Sequence, residues 1–335
     1  MRLGDNPSKG LAAGDENFVH HVLVPVYIPN HEGYYEHSFE VLKLCLESLR
    51  KTTHGRTCIS VINNGSSLQV RDWLNAQHAA GAVHEVIHAG PIGKLAAVIK
   101  GLVGSACELV TIADADVLFL PGWQAQTARI LHRLPKAGVV GIVPQFRMHG
   151  YLNGNLILDH LFSGKMRFMP VADRDALRHF YHSIGWGDDY NQDYLEQILG
   201  LEFGDLKVLA GSGHFVATYR REIFGDMPTR GKLKLGGTVM YPIDARPRDL
   251  GFWRVTTFEN YAYHMGNVPE DWMPGLVRDM AWNADAPQTG FSTGRKPSRI
   301  YAWRDRFVTR LLRNRKIYIA FLRHFGLPAT MRRNF

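Results

Sequence analysis

The sequence predicts an α/β protein built on a doubly wound, mostly parallel sheet. Short apolar segments rich in β-branched residues alternate with segments whose apolar residues recur at helical spacing. Strands that alternate with helices in this way lie parallel in one sheet. One of them, V-T-I-A-D, runs into the D-A-D triplet of Asp114 and Asp116, and open α/β sheets bind ligands at the edge where their strands end.

The elements of this sheet can be placed in order along the chain. The first strand contains Pro25, which predicts that the strand ends or bulges there. The second strand runs into Asn63-Asn64-Gly65-Ser66, a turn sequence with a natural helix cap. The predicted helices are Phe39–Arg50 and a segment from Gly90–Lys94 to about Val103. The five predicted strands are His21–Ile28, Cys58–Ile62, Val83–His88, Val110–Asp114 and Val139–Val143.

The composition is that of a protein with a substantial core. With 335 residues, 45% of them hydrophobic and 21% charged, the chain can form one large domain or a domain with an appendage. No apolar run approaches the roughly 18 residues of a membrane span, and Met1–Asn17 lacks the apolar centre of a signal peptide. We therefore expect a cytoplasmic protein with a disordered N-terminus over residues 1–17. Cys45, Cys58 and Cys107 show no paired spacing, which predicts reduced core thiols.

The positive charge is concentrated at the C-terminus. The whole chain carries a net +8, whereas residues 295–335 contain 12 Lys or Arg and one acid, Asp305, for a net +11. The 294 residues before them therefore carry −3. A nearly neutral body argues against a nucleic-acid enzyme, whose binding groove would be basic along its length.

The basic tail predicts one amphipathic helix whose apolar residues share a face. Such a helix can lie in a membrane interface with its cations on anionic headgroups, which would make the protein peripheral on the membrane. Alternatively, it can pack on the rest of the protein and leave its arginines in water. Both alternatives hold if one edge of the helix packs on the rest of the protein and the opposite edge faces the membrane. The apolar residues are Ile300, Trp303, Phe307, Leu311, Tyr318, Leu322 and Phe325, and the cations are Arg299, Arg306, Arg310, Arg313 and Lys316.

The two aspartates of the D-A-D triplet supply hard oxygen atoms, which divalent cations prefer. At a sheet edge, Asp114 and Asp116 predict a cation that holds a phosphorylated substrate. The alternative is that both side chains only cap the helix that begins near Pro121. Lys94, at the start of a helix, can neutralise phosphate charge together with free backbone N–H groups, or it can simply be solvated.

Four motifs along the chain resemble, in sequence and in order, those of the family 2 glycosyltransferases of the GT-A fold. The resemblance is continuous over Val22–Phe146. It departs from the family pattern at Asn63, where an aspartate is usual, and at Pro91, which replaces an asparagine. The four motifs are V-P-V-Y at Val24–Tyr27, I-N-N-G-S at Ile62–Ser66, G-K-L-A-A at Gly93–Ala97 and I-A-D-A-D at Ile112–Asp116.

The resemblance resumes in the second half of the chain. Gly211–Phe224 resembles the acceptor-side segment G-x-x-F…R-R-E-x-F of the family. Gly236–Gly237, Asp244 and Gly251–Val255 resemble the stretch that carries the family's acidic base, although Asp244 stands in P-I-D-A rather than in E-D. His264 falls where many GT-A enzymes keep a late metal-binding histidine; a packed or surface histidine is the alternative.

The resemblance implies a metal-dependent, inverting glycosyltransferase of the hexosyltransferase type. Its donor would be a nucleotide-diphosphate sugar and its acceptor a glycan or lipid-linked molecule, as in polysaccharide biosynthesis. A Mn²⁺ or Mg²⁺ ion on Asp116, with Asp114 and His264, would stabilise the departing diphosphate. Asp244 would be the catalytic base, with Asp249 and Glu259 in reserve. The implied donor-binding residues are Pro25, Val26, Tyr27, Asn63, Asn64, Gly93, Lys94, Asp114 and Ala115.

Residues 147–209 lie outside the resemblance. Their W-G-D-D-Y-N-Q-D-Y run mixes rings, carboxylates and amides in the manner of carbohydrate sites. Trp186, Asp188 and Asp189 are therefore candidates for acceptor binding, and the alternative is a polar surface loop. The expected domains are a nucleotide-sugar-binding half at 18–146, an acceptor-binding half at 147–270 and a C-terminal extension at 271–335.

Other classes of protein share some of these features. Aspartyl phosphatases of the haloacid dehalogenase type carry a DxD after their first strand that continues into Gly-Thr, whereas Asp116 is followed by Val117-Leu118. A sugar-nucleotide pyrophosphorylase-like nucleotidyltransferase would share the sheet, but its glycine-rich loop is missing after Val22–Tyr27. A catalytically inactive GT-A domain that binds a nucleotide or a membrane partner is the non-enzyme alternative.

Overall fold

The computed structural model describes residues 17–225, 240–283 and 285–335. The predicted disordered N-terminus, apart from Asn17, and the glycine pair Gly236–Gly237 lie outside these ranges. The strands are β1 His20–Val26, β2 Thr57–Asn64, β3 Glu85–Ala89, β4 Leu109–Ala113, β5 Val117–Phe119, β6 Ala137–Gly141, β7 Met166–Pro170, β8 Gln197–Phe203, β9 Leu206–Ala210, β10 Val216–Arg220, β11 Trp253–Thr257 and β12 Ala262–His264. The helices are α1 Ser38–Thr52, α2 Leu68–Ala79, α3 Lys94–Leu102, α4 Trp123–Arg133, α5 Gly154–His160, α6 Arg174–Ser183, α7 Tyr241–Asp249, α8 Trp272–Asp279, α9 Arg299–Leu312 and α10 Arg315–His324.

Ten of these strands form one mixed sheet in the order β3-β2-β1-β4-β10-β6-β11-β9-β8-β7. Strands β1 to β4 are parallel neighbours at one side of the sheet. Seven of the ten strands run in one direction and three run in the other. The three reversed strands are β7, β9 and β10. The expected α/β class with a mostly parallel sheet is confirmed.

The predicted fifth strand forms as β6, but it does not lie beside β4. Strand β10 comes from the Gly211–Phe224 segment and lies antiparallel between β4 and β6. Residue types identify a segment as a strand, whereas the order of strands depends on pairings between residues far apart in sequence. The insertion of β10 could therefore not be seen from local patterns.

The first strand tolerates Pro25 because of where that residue lies. Strand β1 keeps one register with β2 from His20 to Val26, without a bulge. Its pairing with β4 ends earlier, at Leu23. The missing N–H of Pro25 therefore interrupts no bond to β4. The strand ends one residue after the proline.

Helices cover both faces of the sheet and enclose two large apolar cores, beside a small third cluster of Met169, Ile198 and Leu209. Leu23 and Ile112 point into the core beneath α3 and α7, while Val22 and Val24 point into the larger core on the other face. Gly101 lets α3 approach closely, because a Cβ at this position would lie 2.8 Å from the side chain of Ile62. The three cysteines are buried thiols, as predicted.

The basic tail forms two helices, so the prediction of a single helix is wrong in this respect. Helix α9 ends at Leu312, and α10 begins at Arg315. The side chain of Asn314 accepts hydrogen bonds from the N–H groups of Lys316 and Ile317. This N-cap starts a new helix at the point where the apolar spacing would have continued the old one.

Each tail helix docks on the body with part of its surface. Asp305 of α9 is buried, and its Oδ1 accepts a hydrogen bond from the N–H of Gly154 in α5 at 2.8 Å. Phe321 and Leu322 of α10 are buried as well. Within the described ranges, no helix is long and apolar enough to cross a membrane. The opposite edge of α9 exposes Ile300, Trp303, Phe307 and Leu311.

Candidate active site

A cavity of about 220 Å³ opens at the carboxyl edge of the parallel strands. The ends of β1, β2 and β4 meet there because these three strands are adjacent and point the same way. Loops after β1 and β12 complete the walls. The cavity is lined by Pro25, Val26, Tyr27, Ile28, Tyr34, Tyr35, Ser38, Val41, Asn64, Lys94, Asp114, Ala115, Asp116, Gly266 and Asn267.

Tyrosine rings form one wall of this cavity. Tyr27 follows β1, and its ring meets the ring of Tyr35 edge to face at 6.0 Å. Tyr34 packs in the same way on Tyr35, with ring centroids 5.2 Å apart. Asn267 donates a hydrogen bond to the carbonyl of Tyr34 at 3.0 Å, which joins the loops after β1 and β12. Aromatic rings beside polar atoms suit a nucleobase or a sugar face.

The two asparagines at the end of β2 have different surroundings. Asn64 lines the cavity, and its Oδ1 accepts a hydrogen bond from the N–H of Ile92 at 2.8 Å. Asn63 is buried and turned towards the next strand, where its Nδ2 lies 3.0 Å from Nδ1 of His88. Gly93 does not line the cavity, but its φ of 89° makes the turn that starts α3 at Lys94. Asn64 and Lys94 therefore face the cavity, while Asn63 and Gly93 shape its edge.

Lys94 forms an ion pair with Oδ1 of Asp114 in the lining of the cavity. Both side chains are partly exposed, so this cation is directed into the site and is not simply a solvated residue at the start of a helix. The alternative in which the two aspartates cap a helix is excluded. Asp114 and Asp116 precede strand β5, and α4 begins only at Trp123, after Gly122, with no side-chain cap.

Asp116 has the environment of a cation ligand. Its Oδ1 is buried and makes no hydrogen bond. Its Oδ2 lies 3.4 Å from Nε2 of His264, which β12 brings against β5. Burial, and after it the charge of Asp114, raises the pKa of Asp116 to about 7. A divalent cation would favour the ionised carboxylate, and so oppose this shift, and it would satisfy the unpaired oxygen.

His264 is oriented by a hydroxyl group on α6. Nδ1 of His264 lies 2.9 Å from Oγ of Ser183, and that hydroxyl donates to the carbonyl of Phe180 at 2.7 Å. Nδ1 also accepts a hydrogen bond from the backbone N–H of Gly266 at 3.3 Å, and these two contacts hold the ring with Nε2 facing Asp116. Burial lowers the pKa of His264, which favours the neutral ring that binds metals.

Asp244 lies at the start of α7 and is 1% exposed. Its Oδ1 accepts a hydrogen bond from Arg254 at 3.1 Å, and its Oδ2 accepts one from the hydroxyl of Tyr151 at 3.3 Å. Nδ1 of His214 lies 3.6 Å from Oδ2. Asp249, one of the reserve candidates, is paired with Arg248 at the other end of α7. The role of Asp244 as a base stays a prediction.

The acceptor candidates follow α6, the helix that holds Ser183 against His264. Trp186 is 48% exposed, and its ring lies 5.1 Å from that of Tyr181 and 6.0 Å from that of Phe146. Asp188 pairs with His182 at 2.9 Å, and Asp189 is exposed. The structure therefore presents an aromatic face at Trp186, three residues after Ser183, with the carboxylates of Asp188 and Asp189 following it in the chain.

Some residues of the cavity carried little signal in the sequence. Tyr34, Tyr35 and Asn267 line the cavity although they lie in loops outside the recognised motifs. The adjacent tyrosines after the first strand were the one available hint, because exposed aromatic residues in loops at a strand end are common in binding sites.

The amino-acid sequence matches Glycosyl transferase family 2 over residues 26–197, which is just over half of the chain. No curated protein matches the sequence.

Solved structures with a similar arrangement include three glycosyltransferase structures. S. aureus TarS 1-349 shows 13% identity over 77% of this chain and 62% of that chain, with a TM-score of 0.42. GalNAc-T7 with UDP, GalNAc and Mn²⁺ shows 13% identity over 75% of this chain and 44% of that chain, with a TM-score of 0.47. The mannosyltransferase PcManGT from Pyrobaculum calidifontis, in complex with GDP-Man and Mn²⁺, shows 15% identity over 96% of this chain and 70% of that chain, with a TM-score of 0.40. This chain thus spans less than two thirds of the first two.

Proposed function

Because this chain belongs to glycosyltransferase family 2 and has the GT-A fold, we propose that it transfers a hexose from a nucleotide-diphosphate donor to a hydroxyl group of a glycan or lipid-linked acceptor. The observation that carries this proposal is the cavity at the sheet edge. Its lining combines tyrosine rings with the charged side chains of Lys94, Asp114 and Asp116. A nucleoside diphosphate needs both an apolar surface for its base and charge compensation for its phosphates.

A divalent cation would bind chiefly to Asp116, with His264 and Asp114 alongside. The unpaired Oδ1 of Asp116 and the neighbouring Nε2 of His264 suit such an ion. When bound, the cation stabilises the negative charge of the departing diphosphate. An imidazole in the site favours Mn²⁺ slightly over Mg²⁺.

Lys94 would exchange partners when the donor binds. It is paired with Asp114 in the structure. A cation on the aspartates would free the ammonium group to contact phosphate oxygens at the N-terminus of α3. Residues 18–146 would then hold most of the donor. Residues 147–270 would hold the acceptor, with Trp186 stacking on a sugar ring and Asp188 and Asp189 on hydroxyl groups.

A binding screen tests the donor and the metal together. Nucleoside diphosphates and their sugars, with and without Mn²⁺ or Mg²⁺, should raise the unfolding temperature by mass action when they bind. Asp116→Ala should abolish the metal-dependent part of this shift, because the variant lacks the main ligand. Asp72→Ala, an exposed substitution on α2, is the matched control and should shift as the parent does. Stabilisation by the same donors in EDTA would remove the metal from the proposal.

The products of turnover distinguish the alternative functions. Transfer or hydrolysis releases a nucleoside diphosphate from the donor sugar, with inverted configuration at the sugar carbon if the reaction is a single displacement. Formation of the nucleotide sugar from a nucleoside triphosphate and a sugar phosphate would identify a nucleotidyltransferase. Donor binding without turnover in any acceptor panel would favour a catalytically inactive domain.

The exposed edge of α9 would hold the enzyme on an anionic membrane surface. Ile300 and Trp303 are 58% and 62% exposed, and Phe307 and Leu311 continue the same ridge. The single acid of the tail, Asp305, is turned inward, so the outer surface carries cations without a local acid. Each such cation near an anionic surface contributes about 1 kcal/mol. The apolar ridge and the arginines around it together match the chemistry of a lipid interface.

Vesicle binding tests this surface without removing the tail, whose buried residues are part of the core. Trp303→Ser in the full chain should reduce co-sedimentation with phosphatidylglycerol vesicles, and high salt should reduce it further. Trp282→Ser is the matched control, because Trp282 is also exposed but lies outside the tail helices. Equal, salt-insensitive partitioning of the parent and both variants would rule the membrane role out.

A further inference from the structure

The G-S-G-H loop, Gly211–His214, precedes β10 and places His214 beside the candidate donor site. The backbone N–H of Asp114 donates a hydrogen bond to the carbonyl of Phe215 at 2.7 Å. The residue before Phe215 therefore lies at the edge where β4 delivers its aspartates. The side chain of His214 is 53% exposed at this position. Its ring is accessible to a substrate hydroxyl group.

Asp244 lies behind His214 and is enclosed by protein. Its Oδ2 faces Nδ1 of His214 at 3.6 Å and also accepts the hydroxyl hydrogen of Tyr151 at 3.3 Å. Burial, followed by the charge of Asp244, raises the pKa of Tyr151 to about 12, so the phenol keeps its proton. Of the Asp244–His214 pair, the imidazole is the part that a substrate can reach.

Arg254 holds both halves of this pair in place. Its fully buried guanidinium donates hydrogen bonds to Oδ1 of Asp244 at 3.1 Å and to the backbone carbonyl of Asp244 at 2.9 Å. It also donates to the carbonyl of Ser212, in the loop that carries His214, at 2.9 Å. One buried cation therefore fixes helix α7 and the G-S-G-H loop against each other.

The Asp244–His214 pair differs from the ordinary surface pairs of this chain. His37 and Glu40, for example, are both well exposed, and such pairs contribute little to stability. Burying a carboxylate on a guanidinium costs desolvation free energy, which an exposed imidazole alone cannot offset. A buried acid directed at an exposed ring is the arrangement that orients a base.

We infer that His214 is the catalytic base of the transfer reaction and that Asp244 is its positioning residue. This inference rests on the proposed function, because it requires a bound donor and an acceptor hydroxyl group. With the Nδ1 proton directed at Asp244, Nε2 of His214 carries the lone pair. Contacts of this kind are commonly long before substrate binds and tighten in the complex.

The step balances without a further reactant. The hydroxyl proton of the acceptor passes to Nε2 of His214 while the hydroxyl oxygen forms a bond to the anomeric carbon of the donor. The bond from that carbon to the diphosphate oxygen breaks, and its electron pair leaves on the diphosphate. The imidazolium that forms lies against the carboxylate of Asp244.

Donor hydrolysis provides the test, because water can take the place of the acceptor hydroxyl group. The probe is the nucleotide sugar that binds most tightly in the screen with Mn²⁺, and the readout is release of the nucleoside diphosphate. His214→Gln should lower kcat by roughly 10²- to 10⁴-fold. It should leave the dissociation constant of the donor unchanged. His78→Gln is the matched control, because His78 is an exposed histidine on α2, with its ring at the carbonyl of Val83.

Two further measurements separate chemistry from structure. Added imidazole should restore part of the rate of His214→Ala, because a free base can occupy the space left by the ring. Asp244→Glu, which keeps a carboxylate, should retain more activity than Asp244→Asn at equal donor affinity. If the Asp244 variants fail to fold because Arg254 loses its partner, the two His214 variants still decide the inference.

The possible outcomes separate this inference from the proposed function. If no nucleotide sugar binds the parent protein, the proposed function fails and the inference fails with it. If the parent binds and hydrolyses a donor and His214→Gln does so at the same rate, the inference alone is wrong. Loss of turnover with donor binding intact, together with rescue by imidazole, supports both.

Discussion

At the scale of a single residue, the candidate metal ligand His264 depends on the hydroxyl group of Ser183. Partners of this kind fix the ring of a metal-binding histidine, and their removal typically lowers metal affinity by about 10- to 100-fold. We expect Ser183→Ala to weaken Mn²⁺ binding by about this factor when a nucleoside diphosphate is present. Calorimetry with Mn²⁺ measures it.

Ser163 offers a matched control for this substitution. Its Oγ lies 3.0 Å from Nδ1 of His160, so it supports a histidine outside the candidate site. Ser163→Ala should leave Mn²⁺ binding unchanged. Equal Mn²⁺ affinity in the parent and Ser183→Ala would show that Ser183 does not position a ligand.

Among the residues that line the cavity, the sequence indicated those that end a strand or begin the next helix, and it missed those that come from other parts of the chain. Asp114 and Asp116 were predictable because a buried strand delivers them to the sheet edge at a fixed spacing. Tyr34 and Asn267 reach the same cavity from loops more than 200 residues apart, joined by one hydrogen bond. No local pattern encodes such a meeting. Only the tertiary pairing of β5 with β12 brings the second loop there.

At the scale of elements, the tail helix α9 is fastened to the body through a buried acid. Asp305 accepts the N–H of Gly154 at the start of α5, so Asp305→Ala would leave that N–H buried and unpaired. The free energy of unfolding should fall by about 1–3 kcal/mol. Denaturant unfolding of the full chain measures the change.

Asp175→Ala provides the comparison for this prediction. Asp175 is exposed on α6 and pairs only at the surface with Arg178. Its loss should change the free energy of unfolding by less than about 0.5 kcal/mol. If Asp305→Ala were as stable as Asp175→Ala, the bond to Gly154 would not fasten the tail.

The elements also show what local patterns can and cannot resolve. Apolar spacing identified the tail as helical but continued it through Asn314, whose capping side chain starts α10. The capping residue was visible in the sequence, and the regular spacing outweighed it. By contrast, α9 packs on α5 with one edge and exposes the other. The spacing of apolar residues alone does not specify which element a helix packs against.

At the scale of the whole molecule, buried neutral histidines should make the protein sensitive to acid. Burial lowers the pKa of His149 from 6.5 to about 4 and that of His20 from 6.5 to about 3. Below pH 6.5 the unfolded chain binds protons at these rings and the folded chain does not, so stability falls as the pH falls. The loss continues until the pH reaches the folded pKa values. We expect Tm to decrease between pH 6.5 and 4, as measured by scanning calorimetry.

His149→Gln isolates one of these contributions. Each such histidine accounts for at most about 1.4 kcal/mol of unfolding free energy per pH unit in this window. The ring of His149 stacks on Phe321 of α10, so the variant will also be less stable at pH 8. The readout is therefore the slope of the unfolding free energy against pH. His78→Gln should keep the parent slope. An unchanged slope in His149→Gln would contradict the assignment.

The position of β10 has a consequence for how the chain folds as it is synthesised. Strands β4 and β6 both lie within residues 109–141, yet the strand that joins them begins only at Val216. Until then, each presents an unpaired edge, and exposed edges of this kind promote association between chains. The same late segment carries the G-S-G-H loop, so β4 is joined to β6 and the His214 base is delivered in one event. A nascent chain that has not reached this segment has neither a complete core nor a complete site.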